Sequence, residues 1–194
     1  MKKLFYTILP IFLLMTSCGV SDLDSTIFIA DKDDRNLPAY TEWGYNSFGA
    51  VYERNYFLAT NNIVPCKITY DKGLLNFCLT GKNDGREMEL TFSFPSQEMS
   101  HYKDLIALNK TTIDILDNNC SFTIRTNGYK ENVTPVSGYL TFKRAQLLKI
   151  DGEDNRVILS GVFELRFLKS GRPETISNGR FDMGINKDFY SFWK

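Results

Sequence analysis

Only one histidine, His101, occurs in the 194 residues. Devices that pass a proton between a nucleophile and an imidazole therefore rest on that residue, and a metal site built on two imidazoles is excluded. Acid–base work would fall to carboxylates. The densest set is Asp151, Glu153 and Asp154 with Gly152 and Asn155, three carboxylates in one turn that would offer a hard cation oxygen ligands. The run lacks the EF-hand ligand pattern, and acidic residues beside Gly and Asn are ordinary turn chemistry, so it reads as a solvated hairpin turn. Asp31, Asp33 and Asp34 read the same way. Paired carboxylates of the glycosidase kind come from distant strands and leave no spacing signature, which keeps a hydrolase among the alternatives. His101, beside Tyr102, has no sequence partner that would make it a base and reads as a loop or strand-end residue. No catalytic residue, cofactor or metal site is expected.

The cysteines carry more. Lys2 and Lys3 precede an apolar run of twelve residues, Leu4 to Met15, too short to cross a bilayer as a helix but of the length of a secretory signal core. The run ends in Leu14-Met15-Thr16-Ser17-Cys18, which resembles the lipobox of bacterial lipoproteins. That resemblance implies a signal peptide over residues 1–17 and a lipidated Cys18 as the first mature residue. It also implies acyl chains, palmitate among them, that hold the protein to a membrane of the cell envelope. Each buried methylene contributes about 0.8 kcal/mol, so several chains on one cysteine anchor a domain without any spanning segment.

Gly19 follows Cys18 in place of the aspartate that retains some lipoproteins at an inner membrane, which points to the outer membrane, periplasmic or surface-exposed. Ser21, Asp22 and Asp24 resemble the acidic tethers of surface-exported Bacteroidota lipoproteins, and Asp24-Ser25-Thr26 resembles the short O-glycosylation acceptor of that phylum, with Ser25 as the acceptor. Few apolar residues occur in any period before Pro38, so residues 18–40 read as a lipidated polar tether and residues 41–194 as one domain.

The full chain balances 23 basic against 23 acidic residues, and loss of Lys2 and Lys3 leaves 21 against 23. Such a balance supplies no field for a polyanion, so nucleic acid is not an expected partner.

From Thr41 onward turn signals recur at short intervals and no segment sustains a helical apolar period. Gly49 to Tyr56 reads as a hairpin around Glu53-Arg54-Asn55, and Val64–Tyr70 and Leu74–Thr80 flank Asp71-Lys72-Gly73. Met88, Leu90, Phe92 and Phe94 alternate along the next strand. His101 to Leu108 is open between a strand and one or two helical turns. Gly138–Ile150, Arg156–Leu168 and Thr175–Ile185 read as long strands joined by Asp151–Asn155 and Ser170–Pro173. Phe163, Leu165 and Phe167 should face a core, with Glu164 and Arg166 in solvent. Phe189, Phe192 and Trp193 predict a C-terminal strand or segment pinned to the domain. The expected fold is all-β, an antiparallel β-sandwich or partly closed barrel of about ten strands.

Three cysteines remain in the mature domain, an odd number for an oxidising compartment. A three-residue loop at Asp71-Lys72-Gly73 would set Tyr70 opposite Leu74 and Cys66 opposite Cys78, which makes these two neighbours and a possible disulfide. Cys120 would then be the single thiol.

Residues 37–59, LPAYTEWGYNSFGAVYERNYFLA, resemble an opening shared by uncharacterised Bacteroidota lipoproteins, with a Thr-X-X-Gly-X-Asn-Thr-Phe-Gly-Cys motif held here by Gly44, Asn46, Ser47, Phe48 and Gly49. ILSGVFELRF (158–167) and ISNGRFDMGI (176–185) resemble the strands that close those domains. Ala50 stands where the family has its cysteine, and Ala39 where it has a second proline. The resemblance implies a lipid-anchored β domain with no catalytic residues to carry over.

Together these features favour a non-catalytic binding or interaction module, attached to a membrane through its N-terminal lipid, with a glycan or protein partner. A barrel carrying a small apolar ligand and a carboxylate-based hydrolase are the alternatives.

Overall fold

The computed structural model describes residues 23–60, 64–117 and 119–193. Its turns explain its registers. Lys72-Gly73, Asp84-Gly85, Asn127-Gly128, Asp151-Gly152 and Ser170-Gly171 each hold both residues at left-handed φ, the conformation of two-residue turns whose twist matches that of the strands they join. Each lets its ladder zip to the last pair, so the loops expected over Asp151–Asn155 and Ser170–Pro173 shrink to two residues. The strands they join are correspondingly long: β9 (Val133–Ile150), β10 (Glu153–Lys169) and β11 (Arg172–Ile185).

The same shortening corrects one expectation. β3 (Cys66–Asp71) and β4 (Leu74–Asn83) turn at Lys72-Gly73 alone, so Tyr70 opposes Leu75, Cys66 opposes Leu79, and Cys78 opposes Lys67. One residue less in the loop puts the two cysteines on opposite faces of the sheet. Cys66 is buried, Cys78 is half-exposed, and both thiols are free.

β1 (Ser47–Tyr52) and β2 (Asn55–Ala59) form the expected first hairpin. β5 (Arg86–Pro95) follows β4 and buries Met88, Leu90, Phe92 and Phe94, the alternate positions read from sequence. After it, Tyr102–Leu108 is a 3-10 helix with Tyr102, Leu105 and Leu108 buried, the three-residue period of that helix. β6 (Thr111–Asp114), β7 (Ser121–Thr126), β8 (Tyr129–Lys130) and β12 (Tyr190–Trp193) complete the set. β12 runs parallel to β3, and Phe192 stacks on Tyr70 with ring centres 5.5 Å apart, so the C-terminal aromatics are pinned as expected.

The fold is all-β and almost wholly antiparallel. The strands form one sheet in the order β6-β9-β10-β11-β1-β2-β4-β5-β7-β8, with β3 on β4 and β12 on β3, and the sheet does not close. Its two halves face one another in a sandwich-like arrangement over a core of phenylalanines. Phe77 meets Phe142 at 5.4 Å and Phe181 at 4.9 Å, Phe92 meets Phe163 at 5.5 Å, and Phe122 meets Phe167 at 5.4 Å. Phe163, Leu165, Phe167 and Phe181 are buried as the alternation requires, with Glu164 and Arg166 exposed.

The polar stretch before the domain is docked on the sheet from residue 23 onward, where the sequence predicted a separate tether. Leu37 is fully buried, and its neighbour Pro38 lies so close to Gly49 that a Cβ there would sit 2.4 Å from the proline Cδ. Ala30 bridges Pro38, and Asp31 accepts the amides of Asp33 and Asp34 while pairing with Arg180 at 2.6 Å. Polarity in this segment is matched by partners on β10 and β11, which local composition does not reveal.

Candidate functional site

The two sequence motifs at the ends of the domain meet. β1 pairs with β11, with Ser47 opposite Asp182, and the carboxylate of Asp182, 1% exposed, gathers the loop before β1. It accepts the Thr41 hydroxyl at 2.6 Å, the amides of Trp43, Gly44 and Tyr45 at 3.0, 2.8 and 3.3 Å, and the Ser160 hydroxyl at 3.1 Å. Buried Asn46 donates to the carbonyls of Leu23 and Ser25 and accepts the amide of Gly184. Arg156, almost wholly buried, donates to the Leu23 carbonyl at 2.7 Å and pairs with Asp24 at 3.2 Å. These are saturated structural contacts, with no acceptor left over for a ligand at Asp182.

A hollow of about 400 Å³ opens on the outer face of β9, β10 and β11. Two bulges build it. On β11, Ser177 and Asn178 together oppose Glu164, because Phe163 pairs with Gly179 and Leu165 with Ile176; Asn178 takes the left-handed φ of 53° that the extra residue needs. On β9, Val136 is the extra residue, since Arg166 pairs with Ser137 and Phe167 with Pro135. Pro135 has no amide to donate, and a bulge is where a strand tolerates that. Between the bulges a Cβ on Gly138 would lie 2.5 Å from the Glu164 carbonyl oxygen, so only glycine lets β9 approach this closely.

Cross-strand pairing then sets the lining. Ser137, Arg166 and Thr175 form one row across the three strands, and Tyr139, Glu164 and Ser177 the next. Burial, and then the Glu164 carboxylate, push the Tyr139 phenol up, so it stays protonated and both donates and accepts. The Thr175 hydroxyl donates to Glu53 at 3.1 Å; with the hydroxyls of Ser137, Tyr139 and Ser177, the Glu164 carboxylate and the Arg166 guanidinium it makes a surface for hydrogen-bonding a hydroxyl-rich ligand. Glu164 is the carboxylate in the lining, and the Glu53 carboxylate stands at its border on Thr175.

Glu164 and Arg166 were legible as solvent-facing, but Ser137, Tyr139, Thr175 and Ser177 were not singled out by sequence. A proline inside a strand pattern and an Asn-Gly pair in another are the signals that mark the two bulges.

The other sequence candidates lie apart from this hollow. Cys18 falls outside the described residues, as do the signal peptide and its lipobox. Ser25 is exposed, with its carbonyl accepting from Asn46. Cys66 is buried in the core and Cys120 packs against it. In the acidic turn, Asp154 is taken by Lys103 at 2.6 Å and Lys149 at 3.5 Å. His101 caps the 3-10 helix, accepting the Lys103 amide on Nδ1 while its own amide donates to Asp104. Among the described residues no three His, Cys, Asp or Glu side chains are gathered as metal ligands would be, and no helix is long and apolar enough to cross a membrane.

No family model, curated protein or solved structure matches the chain. The fold and the hollow define an open, all-β antiparallel domain with a polar groove on its outer face.

Proposed function

We propose that this chain is a lipid-anchored protein of the cell envelope, held at the outer membrane through Cys18, whose β domain binds a glycan in the β9–β10–β11 groove without turning it over. The observation that carries the reading is the groove lining. Ser137, Tyr139 and Ser177 supply paired donor and acceptor capacity, the Thr175 hydroxyl, which donates to Glu53 at 3.1 Å, supplies an acceptor, Glu164 and Arg166 supply charge-assisted bonds, and Tyr139 offers a ring for stacking. The apolar-carrier alternative finds its interior filled, since Phe77, Phe92, Phe142, Phe163 and Phe181 are packed ring against ring where a ligand would lie. Thr41, Gly44 and Asn46 meet Asp182 and Gly184 in one contact set, which joins the two segments whose sequences resemble the Bacteroidota lipoproteins.

The test is a glycan array followed by calorimetry on the best binder. Tyr139→Ala and Arg166→Ala are expected to weaken binding by about tenfold or more each, the loss of one good polar or stacking contact, with unchanged thermal melts. Binding that survives both changes removes the groove from the reading. Hydrolysis abolished by one Asp or Glu substitution replaces the binding module with an enzyme.

A further inference from the structure

We propose that the segment exposing Leu23, Ile27, Phe28 and Ile29, with Trp43 beside it, rests on the surface of the bilayer that holds the lipidated Cys18, so that the domain is seated rather than suspended; this rests on the lipid-anchor reading above. These five are exposed, Trp43 by 71% and Phe28 by 48%. The other large exposed apolar side chains, such as Leu74, Ile106, Tyr129 and Trp193, are each separated from the next along the chain, although Leu74 and Trp193 flank Asp71 on adjoining strands. Here three follow one another in the chain, and the backbone presenting them is fixed. The Ile27 amide donates to the Tyr45 carbonyl at 2.8 Å, two residues from Trp43. The Ile29 carbonyl accepts the Ala39 amide at 2.7 Å, and the Trp43 amide is held by Asp182. A rigid segment that holds Phe, Ile and Trp outward forgoes their burial unless something covers them.

Chain length identifies what does. Only four residues lie between Cys18 and Leu23, and an extended chain covers at most about 3.6 Å per residue step, so over five steps Leu23 is within about 18 Å of the anchor. No other described residue is tied so closely to the acylated one. Tryptophan and phenylalanine are side chains that settle at a bilayer interface, with the indole N–H at headgroup level. Charge agrees with this placement. Three carboxylates of this region are matched by arginines of the sheet, Asp24 by Arg156 at 3.2 Å, Asp31 by Arg180 at 2.6 Å and Glu42 by Arg144 at 2.8 Å. Anionic headgroups would otherwise repel them.

The full chain, purified from its membrane and reconstituted in phosphatidylethanolamine–phosphatidylglycerol vesicles with brominated acyl chains, tests this by quenching. Trp43 and Trp193 are the two tryptophans. Trp193→Phe isolates Trp43 and Trp43→Phe isolates Trp193. Trp43 emission is expected to be quenched several-fold more strongly than that of Trp193, and Phe28→Asp should reduce the effect. Incorporation of labelled fatty acid is measured on the same protein. Label present with equal quenching of the two tryptophans overturns the seating and leaves the anchor standing. If that protein also forms a dimer in detergent that Phe28→Asp disperses, a second copy covers the face instead. Absence of label removes the anchor, and the seating falls with it.

Discussion

Thr41 donates its hydroxyl to Asp182 at 2.6 Å across 141 residues of chain, and the same carboxylate takes three backbone amides of the loop that follows. Asp182→Ala would leave these donors buried without an acceptor. A loss on the order of 3 to 5 kcal/mol is expected, read as a fall in the urea midpoint at constant slope. Asp182→Asn retains the shape and one acceptor and should lose less; equal stability of all three proteins would sink the role.

Leu37 is 0% exposed although it sits in a stretch of polar residues. Leu37→Ala should cost about 2 to 4 kcal/mol, the range for a core leucine. A chain trimmed to begin at Ala39 should melt well below the full chain, because it also loses the Arg180–Asp31 and Arg156–Asp24 pairs. An unchanged melt would restore the tether reading.

Cys66, Cys78 and Cys120 are free thiols, and burial pushes all three up, most strongly Cys66. Thiol titration in denaturant should therefore count three besides Cys18. In the native protein at pH 7, Cys66 should be the slowest to react, since its thiolate is both desolvated and shielded. A count of one in denaturant would require a bond that the register at Lys72-Gly73 does not bring about.

Acid should destabilise the fold through three carboxylates. The amides of Asp33 and Asp34, then Arg180, hold Asp31 low; Arg144 and Tyr40 hold Glu42 low; Lys103 and Lys149 hold Asp154 low. A carboxylate lowered on folding contributes stability that is complete above its unfolded value, about 4, and is lost as pH falls through the folded one. The urea midpoint should drop between about pH 5 and pH 2, and Lys103→Met should shrink that drop. At the alkaline end Tyr190 is pushed up to about 12, chiefly by burial. The sign reverses there: stability is complete below about 10, the unfolded tyrosine value, and is lost as pH rises through the folded one.

Much of this fold is written locally. Alternation at Met88, Leu90, Phe92 and Phe94, and again at Phe163, Leu165 and Phe167, fixes which face is inside, because side chains on a strand alternate with period two wherever the strand lies. The five X-Gly pairs mark reversals for an equally local reason, the left-handed backbone that glycine accepts. Loop length, however, was settled by the twist of the whole ladder, and the difference of one residue at Lys72-Gly73 moved Cys78 to the other face. Residues 23–40 looked like a tether because their partners, Arg156, Arg180 and Gly49, are remote in sequence or have no polar side chain to signal a contact. The groove likewise exists only where Val136 and Asn178 bulge on the two strands that flank β10. Periodicity and turn chemistry act over a few residues and are therefore legible in the chain, whereas sites made by pairing distant strands are decided by tertiary structure.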